Sequence, residues 1–155
     1  MKKKIAILGS TGSIGKQTIE IIKNNKKNFE IFLLSTNKNL KEISKQVKLF
    51  KPKNLIITNE KRFFLFKKKN KKINVFNNYD NFKKIFPKKI DYVMSSISGI
   101  EGLLPTHNII KHTKLIAIAN KESIICGWNL LNKELKKKNT KFIPVDSEHF
   151  SIWYA

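Results

Sequence analysis

Short apolar runs alternate with longer amphipathic stretches along the whole chain. That is the pattern of strands buried on both faces and helices laid over them. Residues 4–8 carry Ile5-Ala6-Ile7-Leu8 without a polar break and read as a first strand. Residues 15–24 have helical periodicity, with Ile19, Ile22 and neighbouring Ile21 forming the inner face. A second strand is expected at 30–35 and a second helix at 40–50, built on Ile43, Val47 and Phe50. Pro52 stops that helix, and 54–57 forms a third strand. Further on, helices are predicted at 61–69, 79–86, 105–111 and 129–138. Strands are predicted at 73–76, 92–96, 115–119 and 141–145. The fold class is therefore α/β with a mainly parallel sheet over 1–145, and 146–155 read as the beginning of a second domain.

Glycines 9, 12 and 15 fall between the first strand and the first helix, in Gly9-Ser10-Thr11-Gly12-Ser13-Ile14-Gly15. In a dinucleotide cradle the first glycine makes the tight turn and the second lets backbone approach a pyrophosphate. The third lets the helix pack on the sheet. Thr11, Ser13 and Ile14 can then offer N–H groups, with two hydroxyls, at a positive helix terminus. An NAD-preferring site usually has an acid at the end of the second strand, on the ribose 2′-hydroxyl. Here Ser35-Thr36-Asn37-Lys38-Asn39 has none. A 2′-phosphate meets no repulsion there and gains attraction from Lys38, so NADPH is the expected cofactor.

Two polar clusters follow. Asn120-Lys121-Glu122-Ser123 comes directly after an apolar run, and Asp146-Ser147-Glu148-His149 after the last predicted strand. In extended chain Asp146 and Glu148 share a face and His149 points away. Their hard oxygens suit Mg²⁺ or Mn²⁺ better than zinc, and the same donors leave Co²⁺ open. Cys126 offers a rival reading, a semialdehyde-type dehydrogenase with a cysteine nucleophile. It lies in Ile124-Ile125-Cys126-Gly127 with no histidine nearby, so it reads as a small core residue. Trp128 and Trp153 read as core or domain-junction residues.

The net charge is +21, from 32 Lys and Arg against 11 Asp and Glu. Arg62 is the only arginine, whereas a nucleic-acid surface relies on arginine for bidentate and stacking contacts. The lysines are spread over every exposed helix face and accompany abundant Asn, Ile and Phe, as AT-rich coding produces. Nucleic acid is therefore not an expected partner, although a lysine-rich binding module is the non-enzymatic alternative. One cysteine and no secretory pattern point to the cytoplasm. No apolar run approaches the roughly 20 residues of a membrane span, so no membrane partner is expected.

Taken in order, these motifs resemble the 1-deoxy-D-xylulose 5-phosphate reductoisomerase family. The likeness includes the cradle, Gly102-Leu103-Leu104-Pro105-Thr106, Ala119-Asn120-Lys121-Glu122-Ser123 and Pro144-Val145-Asp146-Ser147-Glu148-His149. The resemblance implies a Rossmann-like NADPH-binding domain and a metal-dependent isomerisation followed by hydride transfer, in non-mevalonate isoprenoid synthesis. It implies that Thr11, Gly12, Ser13 and Ile14 bind the pyrophosphate and that Asn37, Lys38 and Asn39 surround the 2′-phosphate. Asn120 and Glu122 would hold the cofactor, and Lys121 would contact a small phosphorylated sugar substrate. Asp146 and Glu148 would bind the metal, with Ser147 and Glu148 on the substrate. Lys121 and Glu148 would be the catalytic pair. Asn37 departs from a glycine common in the family. The resemblance also implies an N-terminal portion of a homodimeric enzyme, so the 155 residues alone are expected to show no turnover.

Overall fold

The apolar runs become the strands of one sheet. The computed structural model describes residues 1–145. Strands and helices follow in the order β1 (Lys3–Leu8), α1 (Ser13–Asn24), β2 (Phe29–Thr36), α2 (Leu40–Phe50), β3 (Asn54–Ile57), α3 (Glu60–Lys69) and β4 (Asn74–Phe76). Then come α4 (Phe82–Ile85), β5 (Tyr92–Ser95), a 3₁₀ turn (Ile100–Gly102), α5 (Leu103–Ile110), β6 (Leu115–Ile118), α6 (Lys121–Lys138) and β7 (Lys141–Pro144). The sheet order is β4-β3-β2-β1-β5-β6-β7, and every pairing is parallel.

Strand residues feed two cores in alternation. Ala6, Leu8, Val93, Ile116 and Ile118 pack with Phe82, Ile109 and Leu131 beneath α4, α5 and α6. Ile5, Ile7, Leu34, Leu55 and Met94 pack with Ile19, Ile22, Ile43 and Phe63 beneath α1, α2 and α3. Because β1 is covered on both faces, Ile5 through Leu8 are all buried and the run is uniformly apolar.

Four expectations need correction. Helix α6 begins at Lys121, not at 129, because the Asn120 side chain accepts from Ser123 N–H at 2.6 Å and caps it. Gly127 sits within that helix without breaking it, since its bare Cα makes room for Leu103 of α5. Helix α4 is shorter than 79–86. Asn78 Oδ1 accepts from Asp80 N–H at 3.2 Å and from Asn81 Nδ2 at 2.8 Å, holding that stretch as a turn. Ile21 is 63% exposed rather than part of the inner face of α1. Cys126 is exposed on α6 and is not a core residue.

His112 gives the fold a pH dependence. Its ring packs against Phe86 and Phe82, with centroids 5.6 and 6.2 Å away. Burial first, and then the charges of Lys111 and Lys89, hold its pKa below the ordinary 6.5, against an opposing backbone hydrogen bond at Phe86. The unfolded chain then takes up a proton that the folded chain refuses. Stability should be full above about pH 6.5 and fall as pH drops below it, by at most about 1.4 kcal/mol per unit. Asp91 acts in a lower window. Its hydrogen bond with Lys114 holds its pKa below 3.8, so its contribution is lost only as pH falls through that depressed value. Urea melts at pH 5 and 7 should show His112→Phe narrowing the stability difference between the two.

Candidate functional site

Strand β1 delivers the chain to Gly9, whose φ of +78° favours glycine. A Cβ there would also lie 2.6 Å from the Ser96 carbonyl oxygen. The turn closes with Gly12 N–H donating to Gly9 O at 3.1 Å. At Gly15 a Cβ would stand 2.6 Å from Ser10 Cα, so only glycine lets α1 pack this close to the turn. Gly12 is the N-cap of α1 and supplies no side-chain acceptor, and the first turn holds no acid. By contrast Asn39, Asn59 and Asn120 cap α2, α3 and α6 with their side chains. The first N–H groups of α1 are thus left for an external acceptor at the positive end of the helix dipole.

A network of hydroxyls fastens this turn to the end of β2. Gly9 N–H donates to Ser35 Oγ at 2.9 Å, and Ser10 N–H to Ser35 O at 2.9 Å. Thr11 Oγ1 meets Thr36 Oγ1 at 2.7 Å. Gln46 Nε2 from α2 donates to Ser10 O at 2.9 Å. On the other side, Ser96 Oγ donates to Leu8 O at 2.7 Å.

The turn opens onto a cleft of about 800 Å³ whose lining includes Gly9, Thr11, Gly12, Thr36, Asn37 and Tyr79. A smaller pocket of about 210 Å³ joins Ser13 and Ile14 to Asn120, Lys121 and Glu122. Ser96, Ile97 and Ser98 line both. Both hollows lie past the carboxyl ends of β1 and β5, where strand order runs outward in opposite directions and α/β folds bind ligands.

The expected residues are brought together unequally. Thr11, Gly12 and Asn37 line the larger cleft, and Ser13, Ile14, Asn120, Lys121 and Glu122 the smaller. Lys38 is exposed and outside both linings. Asn39 is the N-cap of α2, accepting from Glu42 N–H at 3.0 Å. Asn120 is 3% exposed, and its Nδ2 donates to Ile97 O and to Gly99 O, the latter at 2.6 Å. Its side chain therefore holds the 97–99 loop as well as capping α6. Asp146, Ser147, Glu148, His149 and Trp153 lie outside the described residues. Trp128 is 39% exposed and packs against Phe142 with the rings tilted by 53° and their centroids 5.5 Å apart.

Sequence reasoning missed Tyr79, Thr58 and the Ser96–Ser98 loop. The loop could have been found from the rule that residues just past switch-point strands face the ligand. Tyr79 carried no such signal. Cys126 is in neither lining, which leaves the semialdehyde-type reading without a nucleophile at the cleft.

The family model for 1-deoxy-D-xylulose 5-phosphate reductoisomerase matches residues 5–127. The chain is 62% identical over 155 residues to 1-deoxy-D-xylulose 5-phosphate reductoisomerase of Pelagibacter ubique (strain HTCC1062), covering 97% of this chain and 40% of that protein. Among solved structures, the reductoisomerase from Zymomonas mobilis in complex with NADPH is 28% identical with a TM-score of 0.87, over 96% of this chain and 40% of that one. A DOX-P reductoisomerase in complex with NADPH, fosmidomycin and magnesium gives 27% identity and 0.87, over 95% of this chain and 37% of that one. The chain spans about 40% of the length of the curated relatives it matches.

Proposed function

The chain belongs to the 1-deoxy-D-xylulose 5-phosphate reductoisomerase family, and we propose that residues 1–145 are an NADPH-binding domain. It serves the isomerisation and reduction of 1-deoxy-D-xylulose 5-phosphate to 2-C-methyl-D-erythritol 4-phosphate. One observation carries the reading. A shared lining runs from the glycine turn and the bare N-terminus of α1, through the 96–98 loop, to Asn120, Lys121 and Glu122. The crowding at Gly9 and Gly15 and the uncapped helix fit a dinucleotide pyrophosphate.

Bound there, NADPH would supply the hydride that reduces the rearranged substrate. Thr11, Gly12, Ser13 and Ile14 hold the pyrophosphate, while Asn37, Lys38 and Asn39 flank the 2′-phosphate. Asn120 sets the loop beneath the nicotinamide end, and Glu122 borders it. Lys121 stands in the first turn of α6, where its charge and the helix dipole both favour an anionic substrate. Asp146 and Glu148 would take Mg²⁺, Mn²⁺ or Co²⁺, with Ser147 and Glu148 touching substrate. The single cysteine, Cys126, fits a reducing, cytoplasmic setting. No helix among the described residues is long and apolar enough to cross a membrane.

Titration of nicotinamide fluorescence tests the assignment. NADPH should bind about fivefold or more tightly than NADH, since one charge pair near a protein surface is worth on the order of 1 kcal/mol or more. Lys38→Glu should narrow or invert that preference. Equal affinities would remove Lys38 from the 2′-phosphate, and no binding of either would remove the domain's role.

A further inference from the structure

Tyr79 lies on the connection between β4 and α4, yet its side chain lines the larger cleft. Its ring packs on Phe82 with centroids 5.7 Å apart, which roots it in the core. Its hydroxyl meets Ser35 Oγ at 3.1 Å, and Ser35 Oγ in turn accepts from Gly9 N–H at 2.9 Å. Ser35 is wholly buried. A serine hydroxyl has one proton and two lone pairs, and it rotates unless partners on both sides fix it. Gly9 supplies one partner, and Tyr79 is the other side-chain partner among the described residues. Phenylalanine would fill the same space against Phe82; only the hydroxyl reaches Ser35. The Tyr79 hydroxyl is protonated at neutral pH, and burial pushes its pKa further above 10.0.

We infer that Tyr79 is a positioning residue for the phosphate-binding turn. It sets the Ser35 hydroxyl, which holds Gly9, and Gly9 at its +78° pivot aims the N–H groups of Thr11, Ser13 and Ile14, that of Gly12 closing the turn on Gly9 O. The aim toward a pyrophosphate rests on the cofactor reading above; the linkage from Tyr79 through Ser35 to Gly9 does not.

The test uses Tyr79→Phe, Ser35→Ala and the double variant in the 155-residue chain. Each single change should weaken NADPH binding about three- to tenfold, the worth of one buried hydrogen bond. The double variant should lose no more than the worse single, as expected of residues acting in one chain of contacts. Adenosine 2′-monophosphate, which lacks the pyrophosphate, should change by less than about twofold. Hydrogen exchange at the Gly9 amide should quicken in both singles without any ligand present. Unchanged NADPH affinity in Tyr79→Phe, unchanged Gly9 exchange, or losses that multiply in the double variant would each overturn the inference. Quickened Gly9 exchange in a chain that binds no NADPH at all would support the linkage and sink the cofactor reading alone.

Discussion

Replacing Gly15 with alanine is expected to remove measurable NADPH binding and to destabilise the fold by about 1–3 kcal/mol, the usual penalty for forcing a carbon into a full site. The added Cβ would stand 2.6 Å from Ser10 Cα and 2.7 Å from Ser10 C, all backbone with no flexible end to swing aside. Either α1 lifts off the sheet or the turn moves, and both misdirect the N–H groups at the helix terminus. Gly12→Ala is the matched control. A Cβ there would meet Gly9 O at an ordinary 3.4 Å, and the φ of −76° suits any residue. That variant should melt like the unaltered chain, whatever it does to cofactor affinity. Urea denaturation and fluorescence titration of the pair decide the matter. Gly15→Ala binding NADPH normally would mean that close packing of α1 does not shape the cradle.

Asn120→Ala is expected to have the next largest effect, because one small side chain performs two tasks. Its Oδ1 caps α6, and its Nδ2 ties down the carbonyls of Ile97 and Gly99. Losing the cap and leaving two loop carbonyls without their donor should destabilise by about 2–4 kcal/mol. NADPH affinity should fall about tenfold or more, since the freed loop lines both hollows. Asn120→Asp separates the tasks. Aspartate caps a helix as well as asparagine does, but it has no N–H to offer the loop. It should regain helix stability and not affinity. Normal affinity in Asn120→Asp would show that the loop is held by something else.

Much of this site was legible in local sequence. A both-faces-buried strand must be apolar throughout, so Ile5-Ala6-Ile7-Leu8 announced β1. The spacing of Gly9, Gly12 and Gly15 reflects crowding a few residues away, which local sequence encodes. Helix starts were harder. Asn120-Lys121-Glu122-Ser123 was visible as a polar cluster, but not as a cap and first turn. The same residue types serve loops equally well, and Gly127 argues for a break until Leu103 is seen packing against it.

What tertiary structure alone decided is which distant residues meet. Lys4 N–H donates to Asp91 across 87 positions, and Ser96 bonds Leu8 across 88, because β1 pairs with β5 rather than with a strand near it in sequence. That pairing makes the switch point and carries the 96–98 loop to the cradle. The same long-range order sets Tyr79, from beyond β4, against Ser35 at the end of β2. Periodicity reports whether a side chain faces a core. Which neighbour it finds there depends on strand order, and strand order comes from packing summed over the whole sheet.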